Sequence, residues 1–564
     1  MQSIRIGRAG AKPPVRFVSV GPDKRVPTGM RHVKGRTMNP LRPEELIPLF
    51  GKLFAMPSRI FSAWNDAARA SLLHFNGLSR YCLDFVVPFL RASNAFWEEE
   101  QQKLPKLSPD VNFRDYLALL RFNVQIGQAG LKSSCSQMTD YHVRQYRLFV
   151  RSLFDTLTGS AGETVDELMA EKAEVLDRLV VRYPDAIWAV GSEFGFHPES
   201  GGYVKVAETP RMELYQVLPT EKGVATRPEV KPILVAHPYV LGPGILTFLP
   251  SEKKSYVHAF ANEGIPTYLR IIKNIHDNDA VQIMTGENDA RDTADFCRFL
   301  KEKHGKPVTL NGFCQGGFIV LAGLLSGMLD GLVDALITCV APIDGTRSKG
   351  LVEYLEHIAP RFRDLHYATK PTASGNEIVD GEVMSWVYKL KSIGREAPLF
   401  TYYRDICLFE TMLARGIPGV GKTAAAINHW LVYGRTDLPL AITQMSFDSY
   451  TIPISAQGDL PFKLFGRTLN FDYIREKGIK FQICYAAKDD LVDPPAALAP
   501  KDFIDVELAE FPKGHAAIAT SWSNPDTEYG LHKRFANGQR GPVRLQLDLD
   551  EALHISETDR KACV

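Results

Sequence analysis

From about Pro43 to Arg182 the apolar residues recur at three- and four-residue steps, as in "LIPLFGKLFAMPSRIFSAW" and "RDYLALLRFNVQIGQAGL". That spacing puts them on one helical face and predicts helices. "TVDELMAEKAEVLDRLVVRY" opens on Thr164 with Glu167 three residues later, the spacing of a capping box. No repeat unit is apparent in this stretch. After it the period changes. "MELYQVL" (212–218), "KPILVAHP" (231–238), "IPTYLRII" (265–272), "KPVTLNGF" (306–313), "LVDALITCV" (332–340) and "KFQICYAA" (480–487) are short apolar runs bounded by turn formers. They read as buried strands. Helical patterns such as "DTADFCRFLKEKHG" and "GGFIVLAGLLSGML" lie between several of them. Strand–helix alternation predicts an α/β architecture, a mostly parallel sheet with helices on both faces.

The alternation breaks between the 340s and Lys480. "LVEYLEHIAPRFRDL", "APLFTYYRDICLFETMLAR" and "TAAAINHWLVYG" are helical, which predicts a cap inserted before the last strands. The expected organisation is a tail over 1–40, a helical domain over 41–187 and a catalytic domain over 188–535. The cap would span about 345–465, and a C-terminal tail 536–564.

Composition changes this picture little. In 564 residues, 45% hydrophobic and 23% charged content is ordinary for a globular chain. A net charge of +1 argues against a nucleic-acid binder. The first forty residues are different, with nine Lys and Arg against Asp23 alone. They read as a disordered basic tail. No apolar signal segment opens the chain and no apolar run reaches about 18 residues. A soluble, cytoplasmic protein without a transmembrane segment is therefore expected. The eight cysteines form no C-x-x-C pair and have no His spacing suited to zinc. Most are expected to be buried small hydrophobes, and no metal is expected.

Two stretches carry candidate chemistry. "GIPGVGKT" (416–423) fits G-x-x-x-x-G-K-[ST]. A phosphate loop, however, needs a buried strand before it and a helix after it. The preceding "DICLFETMLAR" is helical, so a turn between helices is the better reading. "NGFCQGG" (311–317) has the required context: a strand leads to Cys314 and a helix follows at once. This is a nucleophile elbow of the form G-x-C-x-G-G. The positive end of the helix would favour a thiolate there.

An elbow predicts an acid and then a base, in that chain order. "KFQICYAAKDDLVDPP" offers Asp490, with Asp489 and Asp493 as rivals, and "VELAEFPKGHAAIA" offers His515. An oxyanion site would use the backbone amides of Gln315 and of Val240 or Tyr239 in "AHPYVLGPG". His237 in the same loop is a further candidate, with a structural role favoured.

With these residues in place, the sequence resembles the polyhydroxyalkanoate synthases, a family of the α/β-hydrolase superfamily, from about Trp188 to the 520s. The likeness rests on "GFCQGG", on "KPILVAHPYVLGPGILTFLPSEKKSYVHAFANEGIPTYL", on "YAAKDDLVDPP" and on "PKGHAAIA". The chain departs from the family in places. Leu491 stands where D-H-x-V-P has its His, "LRIIKNI" replaces S-W-R-N-P, and Tyr433-Gly434 replaces a Trp-Asn pair. The resemblance implies an α/β-hydrolase fold with a Cys314–His515–Asp490 triad. It implies acyl transfer from 3-hydroxyacyl-CoA onto a growing polyester, with the coenzyme A thioester as substrate and no other cofactor. It also implies a homodimer at a polyester granule surface. The alternatives are a thioesterase or polyester hydrolase with the same triad, and a non-catalytic granule-associated protein.

Overall fold

The computed structural model describes residues 43–550, apart from His357 and Pro418. The expected basic tail lies outside the described residues, as do the last fourteen. The chain divides into two units, Met1–Arg59 and Ile60–Val564. The described part of the first is the opening of helix α1 (Pro43–Lys103).

The next two α-helices follow in the N-terminal region. In α2 (Pro109–Thr158), Pro109 stands in the first turn, where its missing N–H costs nothing, and Gly159 ends the helix at φ 64°. The expected capping box is present at α3 (Val165–Asp177): the Thr164 N–H donates to the Glu167 carboxylate at 2.8 Å. On one face α1 packs against the inserted segment rather than the sheet. Tyr402 Oη and His74 Nδ1 are 3.0 Å apart, Tyr81 Oη donates to Asp405 at 2.8 Å, and Phe85 meets Trp386.

The α/β part of the chain is built on β1 (Tyr203–Glu208), β2 (Met212–Val217), β3 (Ile233–Ala236), β4 (Thr267–Ile272), β5 (Val308–Phe313), β6 (Val333–Cys339), β7 (Lys480–Ala486) and β8 (Glu507–Phe511). They form one sheet in the order β1-β2-β4-β3-β5-β6-β7-β8. β2 runs antiparallel to both its neighbours, and the pairs from β4 to β8 are parallel. Every residue of β3 and β5 is buried, as a strand covered on both faces requires. Helices α4 (Gly286–His304) and α5 (Gln315–Leu325) pack with each other on this core, and α5 is buried throughout.

The segment between β6 and β7 carries the expected cap, mostly helical, with two small antiparallel sheets. Within it α6 (Pro398–Ala414) runs to Gly416, and α7 (Lys422–Tyr433) follows. The phosphate-loop look-alike is thus a connection between two helices. Lys422 there pairs with Glu193 at 2.8 Å and Glu252 at 3.2 Å. The expected C-terminal tail is folded in its first part. A helix over Pro542–Asp548 buries Val543 and Leu545, and Arg540 joins Glu507 of β8 to Asp548.

Candidate active site

β5 delivers Cys314 to the C-terminal ends of the parallel strands, and α5 begins at the next residue. Cys314 has φ 51° and ψ −126°, a strained conformation costing about 1–3 kcal/mol. The close approach of strand, helix and neighbouring loop explains the flanking glycines. A Cβ on Gly312 would lie 2.3 Å from Gly317 Cα, and one on Gly316 would lie 2.5 Å from the His237 carbonyl oxygen. The turn is fixed by the Cys314 N–H, which donates to the Cys339 carbonyl at 2.7 Å. Cys314 is half-buried, whereas Cys297, Cys339 and Cys484 are fully buried and Cys135 is exposed.

The loop after β7 supplies the carboxylate, and it is Asp489. Its Oδ2 accepts from His515 Nδ1 at 2.8 Å, while Oδ1 accepts the Leu491 and Val492 amides at 3.0 and 2.9 Å. The Asp489 side chain is 1% exposed and that of His515 10%. The expectation of Asp490 is corrected. Its side chain is 74% exposed, with Arg395 3.7 Å away. Asp493 precedes a short helix, and its N–H donates to Ser348 Oγ at 3.4 Å. The physical difference is the backbone. Two consecutive amides fold over Asp489 and hold it inward, while Asp490 projects to solvent.

His515 follows β8 and lies edge-on to Phe313, the residue before Cys314, with ring centroids 5.7 Å apart. Because Nδ1 donates to Asp489, Nε2 is the nitrogen left for the sulfur. Burial, the largest single effect, pushes the imidazolium pKa down, and the charge on Asp489 is the chief effect that opposes it. The charge of Cys314 and hydrogen bonds to both groups add to this, so His515 is raised from 6.5 to about 10. A protonated His515 held between Asp489 and the sulfur is what this arrangement favours.

The loop after β3 is anchored from the cap. Thr436 Oγ1 donates to the Tyr239 carbonyl at 2.6 Å, and Trp430 Nε1 donates to the Leu241 carbonyl at 3.0 Å. No peptide here is cis. The Val240 N–H therefore points opposite to the Tyr239 carbonyl, away from Thr436. Gly242, at φ 61°, lets the loop turn back. From beneath, Tyr239 Oη donates to Asp289, whose other oxygen accepts from Arg270 at 2.8 Å. Both charged groups are buried. Asp289→Ala is expected to cost about 3–5 kcal/mol, because it leaves Arg270 buried without its counter-ion. Urea midpoints of the two proteins check this.

His237 is neutral. Its Nδ1–H donates to the Pro238 carbonyl at 2.8 Å, and burial pulls its pKa down to about 4. It borders a cavity of about 510 Å³ with Tyr239, Lys273, Lys370, Arg435 and Thr436. Among the described residues the cavity walls do not include Cys314, Asp489 or His515, so it adjoins the loop after β3 rather than the sulfur.

A sheet of this order with one reversed strand, and an elbow after β5, define an α/β-hydrolase fold with an all-helical N-terminal region. No family model and no curated protein matches the chain. Among solved structures, Est1E from Butyrivibrio proteoclasticus is 10% identical over 56% of this chain and 90% of its own, with a TM-score of 0.29. A thioesterase domain from the curacin biosynthetic pathway is 12% identical over 57% and 95%, at 0.31. A putative aryl esterase from Burkholderia cenocepacia is 13% identical over 63% and 99%, at 0.28. No described helix is long and apolar enough to cross a membrane.

Proposed function

We propose that the chain is an acyltransferase of the polyhydroxyalkanoate synthase type. It would act on 3-hydroxyacyl-CoA thioesters through Cys314, His515 and Asp489. The observation carrying this reading is the hydrogen bond from His515 Nδ1 to buried Asp489, beside a cysteine held at a strained strand-to-helix turn. In this reading His515 takes the Cys314 proton and the thiolate adds to the thioester carbonyl. The Gln315 and Val240 amides receive the oxyanion. The C–S bond to coenzyme A breaks, and the leaving thiolate takes the proton from His515. The product is an acyl-Cys314 thioester. His515 next accepts the proton of a 3-hydroxyl on a second acyl unit. That oxygen adds to the acyl-enzyme, an ester bond forms, and Cys314 leaves with the proton. A thiol nucleophile suits thioester exchange, because the attacking and departing sulfurs have similar basicity.

Purified protein with 3-hydroxybutyryl-CoA tests this. Free thiol and product size are followed together. The expected result is one coenzyme A released per unit of growing polyester. Release with free 3-hydroxybutyrate only would replace transfer to a hydroxyl by transfer to water. No release with any chain length would favour a non-catalytic granule-associated role. Homodimerisation and contact with a polyester granule belong to the same proposal.

A further inference from the structure

The cavity beside the loop after β3 has a wall that leaves polar groups without partners. His237 is buried in that wall, and among the described residues nothing hydrogen-bonds to its Nε2. Nδ1 already donates its hydrogen to the Pro238 carbonyl. In the neutral ring Nε2 is then a lone-pair acceptor. Only a group that brings a hydrogen can satisfy it. A buried acceptor left without one is costly, and a purely apolar ligand would leave it so.

The charges of the same wall are unevenly matched. Asp437 holds Lys370 at 2.8 Å and His276 at 3.0 Å, and Glu382 pairs with Arg91. Arg435 pairs with no carboxylate among the described residues. Its Nε donates to the Leu431 carbonyl at 3.1 Å, and burial lowers its pKa. A cation withdrawn from water normally has a counter-ion. Lys273 is loosely held, 3.4 Å from Glu208, which already binds Lys205 at 2.6 Å. The wall thus presents one unpaired guanidinium and one weakly paired ammonium, which suits a single negative charge better than a phosphate dianion. It also includes Ile272, Ile275 and Val281, which pack together as an apolar cluster.

From these groups we infer that the cavity is a binding site for a hydroxylated carboxylate, an alkyl acid that carries one alcohol. The carboxylate lies on Arg435, whose planar fork matches two carboxylate oxygens. The alcohol O–H donates to His237 Nε2. The alkyl part covers Ile272, Ile275 and Val281. A volume of about 510 Å³ falls in the range of small-molecule sites. A plain fatty-acid anion has no hydrogen for Nε2, and an uncharged alcohol leaves Arg435 unpaired, so the ligand needs both groups. Cys314, Asp489 and His515 are absent from the wall. The site therefore stands whether or not the triad transfers acyl groups.

Isothermal titration calorimetry of the full chain tests this with 3-hydroxyoctanoate and 8-hydroxyoctanoate, which carry the alcohol near to and far from the carboxylate. At least one is expected to bind with a Kd below about 1 mM. Octanoate, which lacks the alcohol, and octane-1,3-diol, which lacks the carboxylate, should each bind at least about tenfold more weakly, since a site built to pair a polar group rejects the analogue without it. Arg435→Gln should weaken the hydroxy acid by about tenfold or more with an unchanged circular dichroism spectrum, because no carboxylate is left bare. Cys314→Ala should bind it as the wild type does. Failure of both hydroxy acids to bind overturns the inference, as does octanoate or inorganic phosphate binding equally well. Those comparisons use the wild type and hold even should Arg435→Gln misfold. Binding that survives Arg435→Gln, or that is lost in Cys314→Ala, would place the ligand elsewhere and overturn it too.

Discussion

Cys314→Ala is expected to lower the rate of coenzyme A release from 3-hydroxyacyl-CoA by about a millionfold, the scale of removing a nucleophile whose partners act only through it. The size of the effect follows from the geometry. Asp489 and His515 are both buried and arranged to serve one atom, the sulfur at the elbow. Without it they stabilise no acyl-enzyme, and only the oxyanion amides still favour attack by water. Cys314→Ser should be nearly as damaging, since an alkoxide is a far poorer leaving group than a thiolate when the acyl unit moves on. The removed side chain is half-buried and packs only at the margin of the core, not within it. The melting temperature is therefore expected to hold within a few degrees, which separates lost chemistry from lost folding. Thiol titration against time, with circular dichroism on the same samples, checks both.

The sheet was legible in the sequence because its central strands are buried on both faces. Such strands are continuous apolar runs that end where a turn begins, as "ILVA" and "VTLNGF" do. β1 was not legible. It lies at the sheet edge, carries a lysine and a glutamate in six residues, and only Tyr203 is buried. Cys314 and His515 were legible from chain order and strand-end position. The choice among three nearby carboxylates was not, since it is made by where two backbone amides point and by which side chain is turned inward. One signal was available. In the D-H-x-V-P pattern the valine stands three residues after the acid. Counted from Asp489 that place is Val492, while from Asp490 it is Asp493. Counted this way, Asp490 rather than Leu491 occupies the place of the family's His. Thr436 and Trp430, which hold the loop after β3 by its carbonyls, had no signal at all. They lie some two hundred residues later in the chain and meet the loop only through the cap.

Asp489→Asn is expected to slow turnover by about ten-thousandfold, while Asp490→Asn should change it less than about threefold. The asymmetry comes from what each amide would do. An asparagine at 489 still accepts the Leu491 and Val492 amides, so the loop keeps its shape. Its NH2 group can face His515 Nδ1 only if the ring moves its proton to Nε2. That is the wrong tautomer for taking a proton from sulfur. An asparagine at 490 loses only a solvent-screened contact with Arg395, worth little. The same pair of variants has a pH signature. His515 holds its proton to about pH 10 in the folded protein but only to about 6.5 when unfolded. The stabilisation from that proton is complete below about 6.5 and disappears as pH rises through 10, because the folded state then ceases to bind the extra proton. Asp489 is the largest cause that raises the value. The stability gap between wild type and Asp489→Asn should accordingly be wide at pH 7 and shrink towards pH 10. The gap to Asp490→Asn should stay near zero throughout. Urea unfolding of the three proteins at both pH values measures it. A gap that follows residue 490 would remove Asp489 from the site.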